Sequence, residues 1–300
     1  MARWVKIAAA QMGPNNESAS RREIVDRLLA LMEHAIDEAV EILVYPELAL
    51  TTYFPKRIRD DYDQFFDTAM PNPTVEPLFH RGREGRVAFH LGYAEKTAEG
   101  RHFNTAIFVD EDGNVLNKYR KLHLPGLPKP APPGVVRVYE PHFFAHGDRG
   151  FQAFRAKQAM LGISICQDRR YPESWRALGL QGAEIVMNGY NTPVSPLALE
   201  HNELVLRAGA YENMMFVVGV AKAGVEDGVE LIGGSCIVNP HGQVIARAST
   251  TGDELVAARI DLDWILPARE RWNFYARRHP QHYGILTEPV RAEEIKSSHR

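Results

Sequence analysis

The chain has 300 residues, 45% of them apolar and 24% charged, with a formal net charge of −3. That is enough apolar material for one large α/β core, and the balanced charge excludes the basic footprint of a nucleic-acid binder. Two cysteines, Cys166 and Cys236, exclude a disulfide framework and fit a reducing, cytoplasmic setting.

In chain order, WVKIAAAQM (Trp4 to Met12) has the apolar run of a buried strand. It is too short for a membrane span, and Gln11 and Pro14 end it, so a strand is expected rather than a signal peptide. From Arg21 to Ala39, Ile24, Leu28, Leu31, Met32, Ala35 and Ala39 recur at helical spacing, which predicts an amphipathic helix. EILVYPEL follows as a strand stopped by Pro46, completing a strand–helix–strand unit of an α/β fold. A helix near Val75 to Glu84 and the strands RVAFHLGYAE and HFNTAIFVD come next. The turn at Glu111-Asp112-Gly113-Asn114 into VLNKYRK is a strong hairpin signal.

Leu124 to Pro141 is proline-rich and without period, which predicts a surface loop. Beyond it, MLGISIC, AEIVMN and MMFVVGVA predict strands, with helices over PESWRALGLQG and Pro196 to Glu212. A hairpin at Asn239-Pro240-His241-Gly242 and a last strand near Leu255 to Asp261 close the pattern. Helices alternating with strands and hairpins predict mixed sheets with helices on their outer faces, a layered sandwich. One domain over residues 1–288 is expected, followed by a polar tail.

No GxGxxG, GxxxxGK[ST] or GxSxG stands in the chain. His142 with His146, and His279 with His282, lack the helical or cysteine context of a metal site. Neither a metal nor a cofactor is therefore expected.

Hydrolysis of an amide-like carbon needs a nucleophile, a proton acceptor and an oxyanion donor. Three strand ends can supply them. Glu47 lies between Pro46 and apolar LAL, so its carboxylate is expected to point into the fold and act as a base, although a carboxylate after a turn is commonly just solvated. Lys118, Arg120 and Lys121 form a basic cluster in KYRKLHLPG, of which one lysine turning inward could stabilise negative charge; spacing does not say which. Cys166 ends an apolar run and is followed by Gln-Asp-Arg-Arg, which places its thiol at the edge of the core. A lone cysteine is more often a core thiol, and that is the reading for Cys236. A nearby lysine would favour the thiolate of Cys166.

VYPELALTTYFP, KYRKLHLPG and GISICQDRRYPESW, in that order, resemble the nitrilase superfamily of carbon–nitrogen hydrolases, and most closely the N-carbamoyl-D-amino-acid amidohydrolases. The likeness extends through RHFNTAIFVD, GAEIVMNGYNTP, IGGSCIVNPHGQVIA and RRHPQHYG. It implies a four-layer αββα sandwich and a triad of Glu47 as base, Lys121 as oxyanion stabiliser and Cys166 as nucleophile. It further implies Glu140, in VYEPHFF, as a second carboxylate that orients the lysine. Arg169 and Arg170 would bind a substrate carboxylate, with Asn191, Thr192 and His123 around the same pocket. The implied reaction takes an N-carbamoyl-D-amino acid to amino acid, ammonia and carbon dioxide through a thioester-like intermediate. It needs no cofactor, and the resemblance suggests a homodimer or homotetramer acting on a small carboxylate-bearing substrate. Three features depart from the pattern: Gln167 stands where asparagine is usual, Val138 where a pocket histidine is expected, and the 124–141 loop differs in composition. For Arg169 and Arg170 the competing role is an ion pair with Asp168 or Glu173.

Overall fold

A computed structural model describes residues 2–126 and 138–289. The first strand, Trp4–Gln11, shows how the layers arise. Alternate side chains leave opposite faces of a strand, so Val5, Ile7 and Ala9 enter one apolar cluster while Ala8 and Ala10 enter another. The second cluster is closed by the helix Arg21–Asp37 through Ile24, Leu28, Leu31, Met32 and Ala35. Ser20 and Glu23 form a reciprocal capping box at the start of that helix. It ends at Asp37, short of the predicted Ala39, because Ala39 turns left-handed (φ 53°) to lead the chain into the strand Ile42–Val44.

Two mixed sheets result. The first runs in the order Glu254–Asp261, Trp4–Gln11, Ile42–Val44, Ala88–Lys96, His102–Val109, Val115–Arg120, with the short strand Phe66–Asp67 also paired to Ala88–Lys96. The second runs Val244–Arg247, Cys236–Val238, Phe216–Ala221, Ile185–Tyr190, Ala159–Ile165, Ala153–Ala156. Their inner faces share one core, in which Ile7, Val44 and Phe108 of the first sheet join Ile163, Val186 and Val218 of the second. Helices Pro172–Leu180 and Ala198–Asn213 cover the far side of the second sheet with Trp175, Leu178, Leu206 and Ala210. The architecture is the αββα sandwich expected from the sequence.

Several elements escaped the sequence reading. The helix Ile265–Trp272 is short and carries Pro267, and the strand Ala153–Ala156 is only half buried, so neither leaves a clean apolar period. The hairpin of Ala223–Glu226 and Val229–Ile232 has strands of only four residues each, partly exposed, which give too short a run to show a period. The predicted surface loop fails at its C-terminal end: Tyr139 is buried, and Glu140 opens the single helical turn Glu140–Phe143 with no solvent exposure. Polar partners inside the fold hold that carboxylate, as described below. Residues 127–137 of that loop, and the tail from 290 onward, lie outside the described residues. Among the described residues no helix is long and apolar enough to cross a membrane.

Candidate active site

Glu47 follows the strand Ile42–Val44, in a segment that two glycines allow to lie unusually close to its neighbours. A Cβ on Gly92 would stand 2.5 Å from the Pro46 carbonyl oxygen, and one on Gly189 would stand 2.6 Å from the Glu47 nitrogen. Neither strand could carry a side chain there without pushing the Glu47 backbone away. The carboxylate is buried, as expected. Its Oε1 accepts from Lys121 Nζ (2.6 Å) and Asn104 Nδ2 (2.8 Å), and its Oε2 accepts from the Asn191 backbone N–H (2.9 Å). Asn191 Nδ2 also donates to the Glu47 carbonyl at 2.8 Å, so Asn191 straps this residue at two points.

Strand geometry settles which lysine turns inward. Lys118 and Arg120, two residues apart and hence on one face, both pair with Glu95 at the sheet surface. Tyr119 and Lys121 take the other face. Lys121 is fully enclosed, with Nζ 2.6 Å from Glu47 Oε1 and 2.7 Å from Glu140 Oε1. Burial works against its charge, but Cys166 when ionised, with Glu140 and Glu47, outweighs that effect and raises its pKa, so it stays an ammonium. Glu140 is itself held up at about 7, chiefly by burial and against the pull of Lys121.

Cys166 is the first residue after the strand Ala159–Ile165 and opens the 3-10 turn Cys166–Arg170. It holds a left-handed backbone (φ 45°), a conformation that costs free energy in a non-glycine residue and recurs at functional sites. Asp168 pins the turn: it accepts from the Ile165 N–H (2.9 Å), the Tyr119 hydroxyl (2.7 Å) and the His123 N–H (3.1 Å). The Cys166 sulfur is 5% exposed as a residue, 3.7 Å from the Asn191 carbonyl and 3.5 Å from Arg169 Nη1. Burial pushes the thiol up, and Glu47 adds to the shift; Lys121 and Arg169 oppose it without prevailing. The lysine does favour the thiolate, as expected, but burial and Glu47 outweigh it. The sulfur is a thiol until a base takes its proton. Cys236, in the strand Cys236–Val238, is buried and pushed up to about 12 by its apolar surroundings.

The arginine pair divides. Arg169 is buried, with its guanidinium over the Tyr190 ring at 4.6 Å, Nη1 on the sulfur and Nη2 donating to Thr192 Oγ1 at 2.8 Å. Arg170 is exposed, and among the described residues it has no ion pair or hydrogen bond. The alternative ion pairs with Asp168 and Glu173 do not form, because Asp168 already serves the turn and His123. Asn191 and Thr192 stand beside the sulfur and Arg169, while His123 sits 2.7 Å from Asp168 Oδ1 with its ring stacked on Tyr171 at 3.7 Å. All nine sequence-predicted residues thus gather in one region. The sequence reading missed Asn104 and Tyr53. Tyr53 donates its hydroxyl to Glu140 Oε1 at 2.7 Å.

The glycine contacts give a direct test of how this geometry is held. Gly189→Ala places a methyl against the Glu47 backbone, and displacement of a catalytic group by about 1 Å can cost about 100-fold in rate. We expect a fall in kcat of about that size with the protein still folded, read by steady-state kinetics and thermal unfolding. An unchanged kcat would show that the close approach does not position Glu47.

Residues 6–270 match the family described as carbon-nitrogen hydrolase. An N-carbamoylputrescine amidase of Oryza sativa subsp. japonica is 29% identical, over 94% of this chain and 94% of its own. A citrullinase of Francisella tularensis is 25% identical, over 94% and 98%. The crystal structure of a carbon-nitrogen hydrolase from Helicobacter pylori G27 superposes with a TM-score of 0.83 at 23% identity, covering 95% of this chain and 99% of that one. These relatives do not single out the N-carbamoyl-D-amino-acid amidohydrolases that the motifs resemble.

Proposed function

The chain belongs to the carbon-nitrogen hydrolase family, and on that premise we propose that it hydrolyses the ureido group of N-carbamoyl amino acids, the D-series being the first candidates. The observation that carries the substrate class is Arg170. It is an exposed guanidinium without a partner among the described residues, four residues along the turn that Cys166 opens. A planar guanidinium recognises a carboxylate through two parallel hydrogen bonds. The D-series rests on the resemblance of GISICQDRRYPESW and GYNTP to the D-carbamoylases. A relative named for an N-carbamoyl compound supports the ureido group.

In this reading Glu47 takes the Cys166 proton as the sulfur attacks the ureido carbon. Lys121, already an ammonium, faces the oxygen that becomes negative. Collapse expels ammonia, which leaves with the proton held by Glu47, and the carbonyl remains on sulfur as a thiocarbamate. Water, deprotonated by Glu47, releases the N-carboxy amino acid and restores the thiol. Loss of carbon dioxide from that carbamate gives the free amino acid. Because the resting sulfur is a thiol, the base step is required, and Glu140 completes the charge balance around Lys121.

The test is ammonia release from a panel of N-carbamoyl-D- and L-amino acids, N-carbamoyl amines, simple amides and nitriles. We expect turnover of the carboxylate-bearing ureido compounds. Charge-assisted hydrogen bonds contribute about 1.5–3 kcal/mol, so Arg170→Ala should raise KM for them by about 10- to 100-fold and leave simple amides nearly unchanged. Preference for carbamoyl amines, or indifference to Arg170→Ala, would defeat the carboxylate assignment.

A further inference from the structure

Tyr53 lies in the loop after Glu47 and is 1% exposed. Its hydroxyl and the Lys121 ammonium both donate to the same oxygen, Oε1 of Glu140, each at 2.7 Å. The other oxygen, Oε2, is buried and has no hydrogen-bond partner among the described residues. We propose that Tyr53 is a positioning residue for the hydrolysis: with Lys121 it occupies Oε1 of Glu140, so that Oε2 is the oxygen on which this carboxyl binds and releases its proton.

The phenol cannot drift from this position, because buried charge anchors its backbone. The Tyr53 N–H donates to Glu226, whose other oxygen accepts from Lys222 Nζ at 2.7 Å. Lys222 also donates to the Thr51 carbonyl at 2.9 Å. Lys56 Nζ reaches Thr52 Oγ1 at 2.7 Å and Asp227 at 2.8 Å. Two lysines and two carboxylates thus fasten residues 51–56 to the hairpin of Ala223–Glu226 and Val229–Ile232. Breaking a paired buried charge leaves its partner uncompensated, so the loop is held at both its backbone and its side chains. Nothing in the proposed chemistry calls for these four groups, and holding Tyr53 against Glu140 gives them a role.

The charges facing Glu140 come from separate elements. Lys121 follows the strand Val115–Arg120, Glu47 follows Ile42–Val44, and Cys166 opens its turn. His142, two residues on, packs against the Tyr62 and Phe143 rings instead. Among these groups the Tyr53 hydroxyl is a neutral donor that favours the ionised form of Glu140. Removing it should raise the pH at which that carboxyl ionises.

The inference rests on the hydrolase reading, and its test has an arm that needs no substrate. Tyr53→Phe keeps the ring and removes the donor. The pH profile of kcat/KM is measured alongside the pH profile of Cys166 alkylation by iodoacetamide, since the thiol feels the charge on Glu140. We expect the acid-side inflection of both profiles to move up by about one pH unit, a tenfold change in that protonation equilibrium. We also expect kcat to fall about tenfold with KM little changed, and Glu140→Gln to abolish the inflection. Tyr45→Phe, which loses the hydroxyl bond to the Leu28 carbonyl on the helical face, serves as the structural control. It should lower the melting temperature without moving either profile. A shifted alkylation profile in a protein that turns over none of the panel would sustain the Tyr53 assignment while overturning the substrate reading. Profiles of Tyr53→Phe that superimpose on the wild type, or an inflection that survives Glu140→Gln, would overturn the assignment.

Discussion

Cys166→Ala should abolish turnover while leaving the fold in place. A covalent route has no other nucleophile available here: Cys236 is walled in by strand residues and pushed up to about 12, which leaves it protonated and unreactive at neutral pH. Loss of the attacking atom from a site whose remaining groups act only through it costs on the order of 10,000-fold or more in kcat. Iodoacetamide should accordingly place one label on the wild-type protein, at Cys166, and none on the alanine variant. Cys166→Ser is the sharper comparison. The hydroxyl fits the same cavity, but Glu47 would have to deprotonate a far weaker acid, so the serine variant should be nearly as inactive. The melting temperature of either variant should fall by only a few degrees, since the change removes or alters one small atom. Turnover that persists in Cys166→Ala, or a label that falls on Cys236, would remove the covalent mechanism.

Glu47, Lys121 and Cys166 were legible as candidates because each stands at a strand end, and strand ends are readable from apolar runs and the prolines or polar residues that stop them. Glu47 after EILVYP and Cys166 after MLGISI both met that test. Lys121 needed more. Its separation from Lys118 and Arg120 follows from the two-residue period of a strand, but choosing the inward face requires knowing that Glu95 holds the other two. The fold class was legible for a similar reason. The apolar run of Trp4–Gln11, buried on both faces, and the helical spacing within Arg21–Asp37 together record a sheet that is covered on both sides.

What stayed hidden is what depends on contacts between distant segments. Asn104 sits inside a strand and looks like any polar residue between apolar neighbours, yet it completes the shell of Glu47. Tyr53 reads as one more aromatic in an apolar stretch. Gly189 reads as a gap in a strand, and only the packed fold shows that the Glu47 backbone fills it. The division of labour between Arg169 and Arg170 was equally invisible, because neighbours in a 3-10 turn can face a core and solvent respectively. The ring of Tyr190 and the hydroxyl of Thr192 decide which one turns in.

These contacts make Lys121 the cation that Glu47 and Glu140 share. Its Nζ stands 2.6 Å from one carboxylate and 2.7 Å from another, all three side chains being fully enclosed. Lys121→Met preserves most of the volume and removes the charge, leaving Glu47 and Glu140 to face one another without a cation. Removing one partner from a buried ion pair costs about 3–5 kcal/mol, and loss of an oxyanion donor costs about 100- to 1,000-fold in kcat. We therefore expect at least that kinetic loss, together with a clear fall in thermal stability. The pH dependence separates this account from simple misfolding. Glu140 already sits at about 7 in the folded protein against 4.5 for a free glutamate. A carboxyl raised on folding contributes stability that is present below its unfolded value and is lost as pH rises through its folded value. Without the ammonium, that folded value climbs higher still, so the variant keeps its proton over a wider range and suffers most where the proton is finally lost. The melting-temperature gap between wild type and Lys121→Met should stay nearly level from pH 5 to about 7, where the wild-type carboxyl ionises, and widen from there toward pH 9. A gap that is constant across that range would mean that the ammonium does not hold the two carboxylates together, and the same result would remove the electrostatic basis for its role at the oxyanion.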